Sequence, residues 1–172
     1  AACFPNALLG ISPQGWLRRS GPLGLVDMKE WKDVEKLGLA KVLILSEKDL
    51  PGKRLLPSWL KDNLIVILTQ GRCGALMYHD DRWFRIPPYP AKEVDETGAG
   101  DVFAAAYLVR YSETGDPFTA GILASCAASF VVESKGAKSI PSTDQIKYRM
   151  DQFQGLKVTL CEKRSVPYHQ SL

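Results

Sequence analysis

Two short runs of uninterrupted apolar residues organise the first half of the chain: Lys41–Ser46 (K-V-L-I-L-S) and Leu64–Thr69 (L-I-V-I-L-T). Each is bounded by polar residues and rich in β-branched side chains, the pattern of strands buried on both faces of a parallel sheet. Leu8–Ile11 is a shorter run of the same kind that ends at Ser12-Pro13. Gly74–Tyr78 and Arg82–Ile86 flank His79-Asp80-Asp81 and predict a hairpin. Helical spacing appears over Met28–Leu37, through Trp31, Val34 and Leu37, with Gly38 as a stop signal. A short helix is expected over Pro57–Asp62. Further on, the spacing predicts helices from Gly98 to about Tyr111, over Phe118–Val132 after Pro117, and over Ser142–Phe153 with Ser142 as its cap. Pro87, Pro88 and Pro90 mark an extended connection before the first of these. Val158–Cys161 reads as an edge strand in a tail, residues 155–172, that the pattern otherwise leaves open.

Strands alternating with helices predict an α/β fold, a Rossmann-like layered domain with a mainly parallel sheet flanked by helices. A chain of 172 residues fits a single such domain. Apolar residues make up 45% and charged residues 24%, with a net charge of +3. That charge is too small to argue for nucleic acid or a membrane surface as partner. No run approaches the length of a membrane span. Cys3, Cys73, Cys126 and Cys161 are widely separated and form no C-x-x-C pair, so zinc and dithiol motifs are absent. They read as reduced thiols of a cytoplasmic protein. The N-terminus has no positive n-region and no initiating Met, and hints at a processed or truncated chain.

The candidate chemistry gathers where strands and helices meet. Ser46-Glu47-Lys48-Asp49, Thr69-Gln70-Gly71-Arg72-Cys73-Gly74 and the Gly98 loop each follow a strand or open a helix. In an open α/β sheet, ligands bind beyond the carboxyl ends of the strands. Val94–Asp101 reads V-D-E-T-G-A-G-D and runs straight into an apolar helix. Small residues there let backbone N–H groups approach an anion, and the helix N-terminus adds partial positive charge. Asp101 stands beside that anion site, where it can accept a proton from an attacking hydroxyl. The loop is not a Walker motif, and Phe103 occupies the place of the third small residue of a dinucleotide fingerprint. A dinucleotide-binding oxidoreductase is therefore disfavoured. The plainer readings are that Asp101 caps a helix, Asp95 is a loop carboxylate, Thr69 ends a strand and Ser125 packs a helix. Pro13-Gln14-Gly15-Trp16-Leu17-Arg18 is either a structural turn or a substrate-side loop.

The octapeptide resembles the C-terminal signature of the ribokinase-like, or PfkB, carbohydrate kinases, D-T-x-G-A-G-D. Asp95, Thr97, Gly98, Ala99, Gly100 and Asp101 match it, and Glu96 stands where Thr is common. Thr69-x-Gly71-x-x-Gly74 looks like the family's nucleotide-side turn. Ala124-Ser-Cys-Ala-Ala-Ser with Gly136-Ala137 is similar to its adenine-side helix and following turn. Ser46-Glu47-Lys48-Asp49 aligns with its N-x-x-E element. The resemblance covers roughly residues 40 to 145.

What it implies is an ATP-dependent kinase acting on a hydroxyl of a sugar, polyol or nucleoside. Asp101 would be the base, and the N–H groups of Gly98, Ala99 and Gly100 the anion hole. Ser46, Thr69, Gly71, Gly74 and Ser125 would lie along the nucleotide. Asp49 would reach Mg2+ through water, and Asp95 and Thr97 would hold a monovalent cation such as K+. Ser46 and Ser125 stand where Asn is common, and Asp49 where Glu is usual. Family members are nearly twice as long. The N-terminal half that carries the sugar site and the β-sheet lid is not visible in this sequence, and a homodimer stays open. The rival reading is a non-catalytic nucleotide-binding or interaction module derived from the same fold.

Overall fold

The computed structural model describes residues 6–162 apart from 22, 24, 30, 32–33, 51–58 and 61–62. A six-stranded sheet forms its centre, hydrogen-bonded in the order β1-β4-β5-β6-β7-β8. Its strands are β1 (Gly10–Ile11), β4 (Val42–Ser46), β5 (Ile65–Thr69), β6 (Ala75–His79), β7 (Arg82–Ile86) and β8 (Thr159–Leu160). Between β1 and β4 lie a single helical turn, α1 (Gln14–Leu17), and a separate antiparallel pair, β2 (Arg18–Ser20) with β3 (Val26–Met28). The helices that flank the mainly parallel sheet are α2 (Ala99–Thr114), α3 (Pro117–Val131) and α4 (Thr143–Gln152).

Contacts group the chain into two compact units, one of residues 1–69, 77–83 and 161–172, the other of 70–76 and 84–160. In the first, β1 pairs parallel to β4 and β4 parallel to β5, with Ser46 opposite Thr69 at their carboxyl ends. Val42–Leu45 and Ile65–Leu68 are buried without interruption, as the continuous apolar runs require. Trp16, Trp31 and Trp59 follow one another at ring-centroid distances of 4.9 and 5.9 Å beside this core.

In the second unit, α3 is buried along most of its length through small side chains: Ala120, Gly121, Ala124, Ser125, Cys126 and Ala127. Gly121 is one of them because β7 lies so close. A Cβ there would stand 2.8 Å from Cδ1 of Ile86. The edge strand β8 pairs antiparallel with β7, Phe84 facing Leu160.

Several boundaries depart from the sequence pattern for identifiable reasons. The helix expected over Met28–Leu37 is not one element: Met28 pairs with Arg18 in the β2–β3 ribbon, and residues 34–39 form a 3-10 helix through Gly38. The helix expected to end near Tyr111 continues to Thr114, because Gly115, at φ 65°, supplies the left-handed residue whose N–H closes on the Tyr111 carbonyl at 2.8 Å. The helix expected over Pro57–Asp62 lies outside the described residues except for Trp59 and Leu60, and Cys3 lies outside them too. Elsewhere local chemistry acts as read. Asp80 and Asp81 take positive φ in the β6–β7 turn, and Ser142 forms a reciprocal capping box with Gln145.

Candidate active site

Helix α2 begins on glycine for a steric reason. Gly98 is its N-cap at φ 84°, ψ −9°, a left-handed conformation that Cβ-bearing residues resist. With no side chain, it also caps no N–H group. Ala99 N donates to the Glu96 carbonyl at 3.2 Å, and Val102 N to the Gly98 carbonyl at 3.0 Å. The N–H groups of Gly100 and Asp101, between them in the first turn, have no intrahelical acceptor. A Cβ at Gly98 or Gly100 would meet nothing within 4 Å, so the space beside these amides is open. Unclaimed donors, room to approach and the partial positive charge of a sixteen-residue helix are what an anion needs. Asp101 lies exposed in the same turn. Of the three amides named from sequence, that of Ala99 is turned to its own loop. The amide of Asp101, identified by counting positions from the glycine N-cap, is open beside that of Gly100.

The approach to this helix is tied to the end of α3. Val94 N and Asp95 N both donate to the Val132 carbonyl, at 2.7 and 3.2 Å. Asp95 then turns its carboxylate back on the chain: Oδ1 accepts from Thr97 N at 3.0 Å and Oδ2 from Gly136 N at 3.1 Å. The Thr97 side chain, its N–H and that of Gly136 hold the Asp95 carboxyl below its ordinary range, with Lys135 adding positive charge. Asp95 and Thr97 are thus linked through the Asp95 carboxylate, which also holds Gly136.

The strand ends of the first unit gather a second set of polar groups. Ser46 caps the 3-10 turn Glu47–Asp49, its Oγ accepting from Lys48 N at 3.2 Å, and Thr69 Oγ1 donates to the Leu45 carbonyl at 3.4 Å. Asp49 is buried, 2% exposed, and Oδ1 accepts from Arg18 Nε at 2.6 Å and Nη2 at 2.5 Å. The Gln14 side-chain oxygen, assigned by its donors, takes Arg18 Nη1 at 2.7 Å and Nη2 at 2.9 Å. The polar turn after β1 is therefore the partner of Asp49, a link between residues far apart in sequence that no local pattern announces.

The nucleotide-side turn is compact. Gln70 N donates to the Gly74 carbonyl at 2.8 Å and Gly74 N to the Gly71 carbonyl at 3.0 Å. Gly71, at φ 54°, faces open space. Gly74, at φ 82°, is packed: a Cβ there would run into the Ile86 carbonyl oxygen and lie 2.8 Å from Pro88 N. Ser125 is buried in α3 and donates to the Pro87 carbonyl at 2.6 Å, so its hydroxyl holds the connection after β7.

Residues 54–144 match the pfkB family of carbohydrate kinases. The chain belongs to the PfkB carbohydrate kinase family. Among its relatives, the nucleoside kinase of Methanocaldococcus jannaschii is 36% identical over 88 residues, 50% of this chain and 29% of that protein. The inositol 3-kinase of Arabidopsis thaliana is 36% identical over 119 residues, 67% of this chain and 32% of that one. The fold is that of the ribokinase of Thermotoga maritima, matched with a TM-score of 0.64 at 24% identity over 85% of this chain and 50% of that one. This PfkB-family chain therefore spans about a third of the curated relatives it matches and half of that solved structure. No helix among the described residues is long and apolar enough to cross a membrane.

Proposed function

We propose that this chain forms the nucleotide-side part of an ATP-dependent kinase that transfers the γ-phosphoryl group to a hydroxyl of a sugar, polyol or nucleoside. The observation that carries the proposal is the start of α2: a glycine N-cap without a capping side chain, open amides at Gly100 and Asp101, and the Asp101 carboxylate in the same turn. In phosphoryl transfer, negative charge spreads over the equatorial oxygens, and positioning with electrostatic stabilisation supplies most of the catalysis. The amides of Gly98, Gly100 and Asp101 meet that charge, and an Ala99 amide released from Glu96 would add a fourth donor. Asp101 accepts the hydroxyl proton as the acceptor oxygen attacks. Gly71 borders the nucleotide, Gly74 and Ser125 shape its turn and helix from behind, and the place of Ser46 and Thr69 along it is what the family resemblance implies.

Magnesium would neutralise the phosphates. No group of three or more His, Cys, Asp or Glu side chains converges among the described residues, which suits an ion carried on nucleotide phosphates and water rather than in a protein cage. Asp49, engaged by Arg18, shapes the end of β4 and would reach a hydrated magnesium ion only through water. The names of the relatives support a small acceptor of the nucleoside or inositol kind. Free thiols at Cys73, Cys126 and Cys161 fit a cytoplasmic setting.

The test is ADP release by the full-length natural protein with Mg-ATP across sugars, inositols and nucleosides, with Asp101→Asn beside it. Release that depends on one acceptor and falls by about 10²–10⁴-fold in the variant supports the reading. An unchanged rate in Asp101→Asn would refute it, and silence across the panel with ATP still bound would favour a non-catalytic module.

A further inference from the structure

We infer that the loop ahead of the phosphoryl site is ordered by the chain's own hydrogen-bond donors, with Asp95 as its staple, and works without a bound monovalent cation. A site for such an ion needs several oxygen atoms turned toward one point with no hydrogen between. At this loop the Asp95 carboxylate and the Val132 carbonyl are turned to N–H donors instead. Asp95 Oδ1 takes Thr97 N and Oδ2 takes Gly136 N, at 3.0 and 3.1 Å. The Val132 carbonyl, at the end of α3, accepts both Val94 N and Asp95 N. A carbonyl oxygen has two lone pairs, so that acceptor is filled.

The electrostatics lead to the same conclusion. A carboxylate close to the carbonyl end of a helix is repelled by the helix's partial negative charge. Something positive must answer it, and a cation is one solution. Here the backbone N–H dipoles of Thr97 and Gly136 face the carboxylate directly, and Lys135 adds a full charge next to the Gly136 donor. Gly136 has φ 64°, the left-handed conformation that carries its N–H in the turn after α3 and suits glycine. A potassium ion entering this turn would have to displace N–H donors and sit against the Lys135 charge.

The inference rests on the kinase reading only for what the loop serves, so the experiment reads the fold and not turnover. Thermal unfolding of the full-length natural protein is followed in potassium, sodium and tetramethylammonium chloride at one ionic strength, with ATP binding measured in each. The expected result is the same Tm and the same ATP affinity in all three salts. Asp95→Ala should lower Tm by the same amount in each salt, since the staple is intrinsic. Lys135→Met should leave Tm equal in the three salts, since the oxygens of the loop stay turned to N–H donors. The inference is overturned if the wild-type protein shows a saturable, potassium-specific rise in Tm of about 5 °C or more that Asp95→Ala abolishes. Loss of kinase activity in every salt, with Tm independent of the cation, would count against the kinase reading and leave the staple intact.

Discussion

Replacing Gly74 by alanine separates two reasons for which a turn carries glycine, and Gly71 is its control. Both residues have positive φ, 54° at Gly71 and 82° at Gly74. At Gly71 an added methyl meets nothing within 4 Å. Its cost is the left-handed backbone alone, about 1–2 kcal/mol, offset by about 0.4–1 kcal/mol from the stiffer unfolded chain. Gly71→Ala should therefore lose roughly 1 kcal/mol or less. At Gly74 the methyl collides with the Ile86 carbonyl oxygen and lies 2.8 Å from Pro88 N and 3.0 Å from Pro87 C. These are backbone atoms, and two belong to prolines, so no side-chain rotation relieves the contact. Its ψ of −128° adds a combination of angles nearly confined to glycine. Backbone strain of about 1–3 kcal/mol and overpacking of about 1–3 kcal/mol put Gly74→Ala near 4 kcal/mol. Urea unfolding followed by tryptophan fluorescence measures both, with Trp83 buried in the neighbouring strand β7 as a reporter. Equal losses in the two variants, within about 0.5 kcal/mol, would refute the close approach of this turn to the end of β7.

Asp116 caps α3 through Phe118 N at 2.9 Å and Thr119 N at 3.2 Å. Asp116→Ala should cost about 1–2 kcal/mol, a fall in Tm of about 2–8 °C. Burial alone would raise the Asp116 carboxyl, but hydrogen bonds from the Thr119 side chain and the two amides outweigh it and hold it below its usual range. A carboxyl depressed in the folded state stabilises above its unfolded pKa, and that stability is lost as pH falls through the folded value. Tm should therefore be insensitive to this group near neutrality and drop below about pH 4, and the drop should be smaller in Asp116→Asn. Burial raises the Cys126 thiol to about 11, and its S–H donates to the Ile146 carbonyl at 3.6 Å, whereas Cys73 is exposed. At pH 8 a thiol reagent should modify Cys73 in the native protein and Cys126 only on unfolding, as peptide mass mapping would show.

Elements with one dominant physical cause could be read in advance. The uninterrupted apolar runs of β4 and β5 admit only a strand buried on both faces. The His79–Asp81 turn, the Ser142 cap and the Gly98 helix start were visible because each depends on residues adjacent in sequence. The β2–β3 ribbon was not legible: its residues are nearly all exposed, so no burial pattern marks them. The pairing of Arg18 with Asp49 spans thirty-one positions, and that of Asp95 with Gly136 forty-one. Partnerships of that kind are made by the fold, and a residue type alone cannot reveal whether its charge is already answered. The same holds for Gly74 and Ser125, which read as ligand contacts and whose structural neighbours are Ile86, Pro88 and Pro87.

The double hydrogen bond on the Val132 carbonyl makes the length of α3 matter as much as its sequence. Each helical residue advances the axis by about 1.5 Å and turns it by about 100°. One residue inserted after the Asp116 cap would swing that carbonyl a quarter-turn and more away from Val94 and Asp95, with every side chain of the loop unchanged. Helix α3 thus acts as a ruler, set by Asp116 at one end and read at the phosphoryl loop by the other. At its half-buried positions substitutions should be absorbed locally, whereas an insertion or deletion would be felt where the amides of Gly100 and Asp101 begin.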